Sequence, residues 1–198
     1  MMKTRLLAGA LAVAAAALGT SSQGAENGAV SGTIVAKGMR TNAGVVVSLV
    51  APGLVVTPPK QSLEMDQKQM QFLPHVIAVV TGTTVRFLNS DPVPHNVFSP
   101  EGKYNLGTWP AGQAHDYKFD KPGVYTQLCR VHPEMEAFVV VLDTPHFAAT
   151  DATGRFEIKG VAPGTYKLVA WSEKLKAAQQ EVTIESGKTL TVNLTLTR

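Results

Sequence analysis

Cysteine is almost missing from this chain of 198 residues, where Cys129 stands alone. A single thiol cannot close an internal disulfide, and the Cys-x-x-Cys-His signature of covalent haem attachment is absent. Histidine is scarce as well, with five in all, too few for the imidazole clusters of enzymes that use a second metal centre. Neither sign of charge dominates. Lysine and arginine number 18 against 15 acidic residues, and no basic stripe marks a nucleic-acid or anionic-lipid partner. After the first eighteen residues no apolar run is long enough to span a bilayer. Helical periodicity is equally rare, with only Glu173–Ala178 offering a short helical candidate.

The chain opens with Met1-Met2-Lys3-Thr4-Arg5, an apolar stretch from Leu6 to Leu18, and small or polar residues up to Ala25. This is the pattern of a secretory signal peptide over residues 1–25, with cleavage after Gly24 or Ala25. No cysteine lies in it, so a lipid-anchored lipoprotein is excluded. The expected mature protein is soluble and exported, located in the periplasm or secreted, and reads as a monomer. In an oxidising compartment a lone cysteine is a free thiol, an intermolecular link or a metal ligand; an exposed free thiol would be a liability, which favours the ligand.

The rest reads as all-β. Short β-branched or alternating runs recur with Gly, Pro, Asn or Asp between them. Predicted strands are Ala29–Ala36, Gly44–Ala51, His75–Val80, Thr83–Asn89, His115–Phe119, Gly123–Leu128, Ala137–Leu142, Arg155–Ile158, Gly164–Ala170, Gln179–Ile184 and Thr189–Leu196. Turn signals separate them, among them Thr81-Gly82-Thr83, Lys121-Pro122-Gly123, Ala152-Thr153-Gly154 and Ser186-Gly187-Lys188.

The donors of interest lie in two segments, His95 in Pro92-Val93-Pro94-His95-Asn96-Val97 and the run Cys129-x-x-His132-x-x-Met135. One thiolate, two imidazoles and one thioether form a soft set suited to copper cycling between two oxidation states. Structural zinc favours several Cys or His donors and has little use for a thioether. Cys129 is expected to form the strong thiolate bond, His95 and His132 to complete a trigonal plane, and Met135 to be the weak axial donor that tunes the potential. Pro92 and Pro94 restrict the backbone that presents His95. His75 is read as structural, His115 and His146 as solvated, and Met65, Met70, Trp109 and Trp171 as packing residues.

These motifs resemble the cupredoxins, the blue copper proteins of the plastocyanin and amicyanin group. The Cys129, His132, Met135 spacing with Pro133 between the last two is similar to the short amicyanin loop, and His95-Asn96-Val97 to the first-histidine motif. A wider similarity to the plastocyanin-like methylamine utilisation proteins runs through Phe72-Leu73-Pro74-His75-Val76, Asn89-Ser90-Asp91 and Phe119-Asp120-Lys121-Pro122-Gly123-Val124. The resemblance implies a Greek-key β-sandwich over 65–143 holding one type 1 copper. It also implies that the Asn96 backbone amide hydrogen-bonds the Cys129 sulfur, and that the docking surface lies around His132, with Pro94, Val131 and Pro133. Arg130 and Glu134 depart from the largely apolar amicyanin surface, so partner preference does not carry over.

Flanking this stretch, Asp151-Ala152-Thr153-Gly154-Arg155-Phe156-Glu157-Ile158 and Val161-Ala162-Pro163-Gly164-Thr165-Tyr166 resemble the carboxypeptidase regulatory-like domain, a small transthyretin-like β-sandwich. Val30–Val35 and Val45–Val50 match its opening strand pair. The expected organisation is therefore a regulatory-like sandwich in two parts, 28–58 and 146–198, with the 65–143 unit inserted between them; a tandem arrangement is the alternative.

The leading function is that of a periplasmic carrier of single electrons between a redox protein donor and acceptor, not an enzyme. Copper trafficking or buffering is one alternative. An adhesion or binding module with a copper-binding appendage is another.

Overall fold

A computed structural model describes residues 25–198, so the segment read as a signal peptide lies, apart from Ala25, outside the described residues. Among the described residues there is no helix, and none long and apolar enough to cross a membrane. Sixteen strands form four sheets around two separate hydrophobic cores.

The first core lies between a three-stranded and a four-stranded sheet. In the former, β1 (Gly28–Ala36) is flanked by β13 (Arg155–Val161), antiparallel, and β16 (Thr189–Leu196), parallel. The latter runs β12 (Phe147–Ala149), β2 (Val46–Val50), β14 (Gly164–Trp171), β15 (Ala178–Ile184). Strand β13 alternates as the pleat requires, with Phe156 and Ile158 turned inward and Arg155, Glu157 and Lys159 exposed. Val30, Ile34, Leu49, Leu168 and Ile184 complete this interior.

Gly154 shows how tightly the turn before β13 fits. Its φ is +87°, its carbonyl accepts from the Ile34 amide at 2.8 Å, and a β-carbon there would meet the Ile34 carbonyl oxygen at 2.1 Å. Gly154→Ala is expected to cost on the order of 3 kcal/mol, because left-handed backbone strain and a clash with main chain coincide. A denaturant titration checks this; an unchanged midpoint would mean that the turn yields freely.

The second core lies between a five-stranded and a four-stranded sheet. The larger runs β5 (Val76–Val80), β11 (Glu136–Leu142), β10 (Gly123–Leu128), β7 (His95–Ser99), β8 (Tyr104–Trp109). The smaller runs β4 (Gln71–Leu73), β3 (Leu63–Lys68), β6 (Thr83–Asn89), β9 (Ala114–Phe119). In β6 the inward set Thr83, Val85, Phe87, Asn89 alternates with Thr84, Arg86 and Leu88. Strand β11 breaks the alternation, since Ala137 through Val141 are all buried. Ala137, Val139 and Val141 enter the core of this half, while Phe138 turns to the other face and meets Trp171 of β14 edge to face, ring centroids 5.7 Å apart. A strand with both faces covered loses its polar positions.

Five strands were not among those expected: β3, β4, β7, β8 and β12. Strand β3 buries only Met65 and the polar Gln67, so its sequence carries no apolar alternation. Strand β7 is made of residues that read as a ligand loop, and Asn105 and Gly107 mask β8. The expected helix at Glu173–Ala178 does not form. That segment bends instead, burying Leu175 in the first core and donating the Lys176 amide to the Thr197 carbonyl at 2.9 Å. Met65 and Trp109 are core residues as expected, and His115 is exposed; His146 is half-buried, and burial lowers its pKa.

Candidate metal centre

His95 opens β7, directly after the Pro92-Val93-Pro94 bend, and Cys129 follows the last residue of β10, the neighbouring strand. Chain segments more than thirty residues apart are thus delivered to one end of the second sandwich by adjacent strands of one sheet. From Cys129 the chain turns tightly, the Met135 amide donating to the His132 carbonyl at 3.0 Å, before β11 starts at Glu136. The short spacing of Cys129, His132 and Met135 is what lets one loop present all three.

The donor atoms converge. His95 Nδ1 and His132 Nδ1 are 2.9 Å apart, and Cys129 Sγ is 4.0 Å from each. Taken in the plane of these three atoms, a point about 2.0 Å from both nitrogens lies about 2.3 Å from the sulfur, matching ordinary imidazole and thiolate bond lengths to a metal ion. The donor set therefore fits a metal of copper size and softness. Met135 is buried beside these residues, in the same core cluster as Cys129, and His132 alone keeps an edge toward solvent.

Two features hold the donors in place. His95 Nε2 donates to Asp91 Oδ2 at 2.8 Å, both groups buried. A carboxylate only accepts, so the ring proton sits on Nε2 and the Nδ1 lone pair faces Cys129 and His132. Asp91 also accepts from the Gln69 amide at 2.6 Å and the Met70 amide at 2.9 Å. Burial works to raise its pKa, but the Met70 amide, His95 and the Gln69 amide outweigh this and hold the carboxyl below its ordinary range.

Asn96 is the second fastening. Its backbone amide donates to Cys129 Sγ at 3.3 Å, the contact that the family resemblance implied. Its side chain adds three more bonds: Nδ2 donates to Asn105 Oδ1 at 2.8 Å and to the Gly107 carbonyl at 2.6 Å, and Oδ1 accepts from the Arg130 amide at 3.3 Å. One residue so ties β7, β8 and the ligand loop together. The Arg130 guanidinium lies over Phe98, 4.9 Å from its ring centroid.

All four residues singled out from the sequence thus lie in this region, with the nitrogen and sulfur donors of His95, Cys129 and His132 brought to one point. Sequence reasoning passed over Asp91 and the Asn96 side chain. A carboxylate four residues before a histidine, across two prolines, was the available signal for Asp91; Asn96 carried none beyond its place in the motif.

Residues 59–142 match the family model of copper binding proteins, plastocyanin/azurin family, and residues 131–197 match that of the carboxypeptidase regulatory-like domain. Amicyanin-alpha of Methylorubrum extorquens is 32% identical over 88 residues, spanning 42% of this chain and 74% of that protein. Among solved structures, a purple cupredoxin from Nitrosopumilus maritimus is 26% identical, covering 41% of this chain and 100% of its own, with a TM-score of 0.38. A reduced variant of amicyanin is 23% identical, covering 48% and 98%, with a TM-score of 0.40. A Cu-containing nitrite reductase from Thermus scotoductus is 24% identical, covering 48% of this chain and 25% of that one, also at 0.40. On the donor chemistry and the match to amicyanin-alpha and both family models, the chain belongs to the plastocyanin/azurin family of copper-binding proteins, carries a carboxypeptidase regulatory-like domain beside it, and takes copper as its cofactor.

Proposed function

We propose that the protein carries single electrons between two redox partners in the periplasm, with one type 1 copper held by His95, Cys129, His132 and Met135. The observation that carries this reading is the convergence of two imidazole nitrogens and one sulfur at bonding distances from a common point. Bound copper supplies a one-electron couple. The protein's part is to keep the donors still. Asp91 fixes the tautomer and direction of His95, and the Asn96 amide stabilises the thiolate charge of Cys129. Both act before any partner arrives, so little need rearrange when the charge changes.

Contact with partners falls to the exposed edge of His132. Val131 and Val93 are exposed apolar residues, and Pro133, next to His132 in the chain, is exposed as well. An apolar rim around a half-buried imidazole favours brief encounters with a flat apolar surface on a partner. Val131→Asp is expected to slow electron exchange with a one-electron partner such as a cytochrome by about tenfold, on the order of the 1.4 kcal/mol that a misplaced rim charge can cost. Copper content and visible spectrum stay unchanged. Stopped-flow mixing reads the rate; an unaltered rate places docking elsewhere. Rapid self-exchange in the wild type supports a carrier, and slow exchange with tight copper would favour buffering instead. The reading assigns the chain no substrate chemistry.

We also infer that 28–58 and 146–198 form one outer sandwich into which the 65–143 copper unit is inserted. Support comes from β1 pairing with β13 and β16, and β2 with β12 and β14, whose paired residues lie between about 100 and 160 positions apart in the chain.

A further inference from the structure

The two sandwiches meet close to the ligand loop. Trp171, the last residue of β14, sets its ring against Phe138, and Phe138 in turn meets the His75 ring edge to face at 5.6 Å. Two residues beyond Trp171, Glu173 Oε2 accepts from His75 Nε2 at 2.9 Å, and Lys174 lies 3.5 Å from the other carboxylate oxygen. The Glu173 side chain is only 11% exposed. His75 is bound to β11 through its carbonyl, which accepts the Phe138 amide at 2.9 Å.

Phe138 stands three residues after Met135 on a continuous stretch of chain, so whatever holds Phe138 limits where the end of the ligand loop can go. A cleft of about 300 Å³ between the sandwiches is lined by Met135 and Glu134 from that loop, by Lys174 from the outer sandwich, and by His75 and Met70. Met70 supplies one of the amides that hold Asp91, and Asp91 holds His95. Contacts from Trp171 to Lys174 therefore abut the chain that positions Met135, and border the turn that positions His95. Joining two domains does not require such a contact. Placing a nearly buried carboxylate there costs desolvation, and its return is a defined relative placement of the two parts.

We infer that the outer sandwich is a brace for the copper site: Trp171 and Glu173, acting through Phe138 and His75, are positioning residues that fix the Met135 end of the ligand loop. The inference rests on the proposed ligand set. It gives the outer sandwich a role in tuning the axial donor, and so the potential, with no ligand of its own.

The test uses the full chain as wild type, Glu173→Gln and the double variant Glu173→Gln with Trp171→Leu. In the copper-loaded proteins the brace predicts a changed ratio of the two thiolate absorption bands and a shifted reduction potential. It also predicts copper loss to a chelator about tenfold faster in the double variant, the lower end of what removing an outer-shell partner costs. In the metal-free proteins the amides of Met70, Met135 and Phe138 should exchange faster, while those of β1 and β16 keep their protection. A folded double variant with the wild-type band ratio, potential, copper release and exchange overturns the brace. If the double variant does not fold, Glu173→Ala, which removes the acceptor of the His75 Nε2 hydrogen bond, decides the matter on the same readings. A wild type that takes up no copper would instead overturn the ligand assignment, and amide exchange in the metal-free proteins would still decide whether the brace exists.

Discussion

Cys129→Ser abolishes the intense blue absorption of the copper-loaded protein and weakens copper binding by more than the roughly 10–100-fold that loss of an outer-shell partner costs. The thiolate is the one anionic and the softest donor of the set, and a serine hydroxyl stays protonated at neutral pH and is a poor ligand for a soft ion. The substitution is otherwise mild. Cys129 is buried with a free thiol, serine is slightly smaller, and its oxygen can accept the Asn96 amide that the sulfur now takes. The fold should persist, so that loss of colour reports on the metal bond alone. Visible and electron paramagnetic resonance spectra of both proteins check it. A serine variant that stays intensely blue would remove Cys129 from the ligand set, and a colourless wild type with tightly held zinc would overturn the copper assignment itself.

Asp91→Ala strikes the other side of the site and should be the most destabilising single change there. One carboxylate receives the Gln69 amide, the Met70 amide and the His95 ring N–H. Truncation orphans three donors at once, one of them fully buried, and a loss of about 3–5 kcal/mol follows, as for other broken buried pairs. The turn adds to this. Gln69 and Met70 both have positive φ, 56° and 59°, in a two-residue hairpin connection where Asn-Gly is the favoured pair. Each such residue stores strain on the order of 1 kcal/mol or more, which the Asp91 carboxylate offsets. Denaturant unfolding of the metal-free protein measures the effect. A loss under about 1 kcal/mol would mean that water replaces the carboxylate, the mean worth of a single hydrogen bond. Because the Asp91 carboxyl is held below its ordinary range, its contribution is complete above about pH 4 and is lost as the pH falls through the lowered value. The alanine variant should lack that part of the acid transition.

Much of the molecule was readable before folding. The all-β class followed from alternation and turn residues, and Met65 and Trp109, read as packing residues, went inside because they are large and apolar. The family resemblance rested on donor identity and spacing, which survive in one dimension when three donors sit in one seven-residue loop. Two of the strands that escaped notice share a cause. Strand β3 buries Gln67, and strand β7 buries Asn96 and Ser99, beside their apolar residues, and a buried polar side chain with a partner looks exposed in a sequence. The false helix at Glu173–Ala178 had the opposite origin. Good helix formers filled a short segment whose Leu175 was claimed by a core formed elsewhere, and helix propensity is too weak a preference to resist that.

Residue types and their order along the chain dictated which atoms can hold copper, because softness and charge belong to side chains one at a time. Folding alone settled which groups steady those atoms: Asp91 on His95, the Asn96 side chain on Arg130, Glu173 on His75. Those pairings depend on strand register and on how two sandwiches meet, and hydrogen bonds reach only about 3 Å, so residues 4 or 98 positions apart become partners only once the chain is closed.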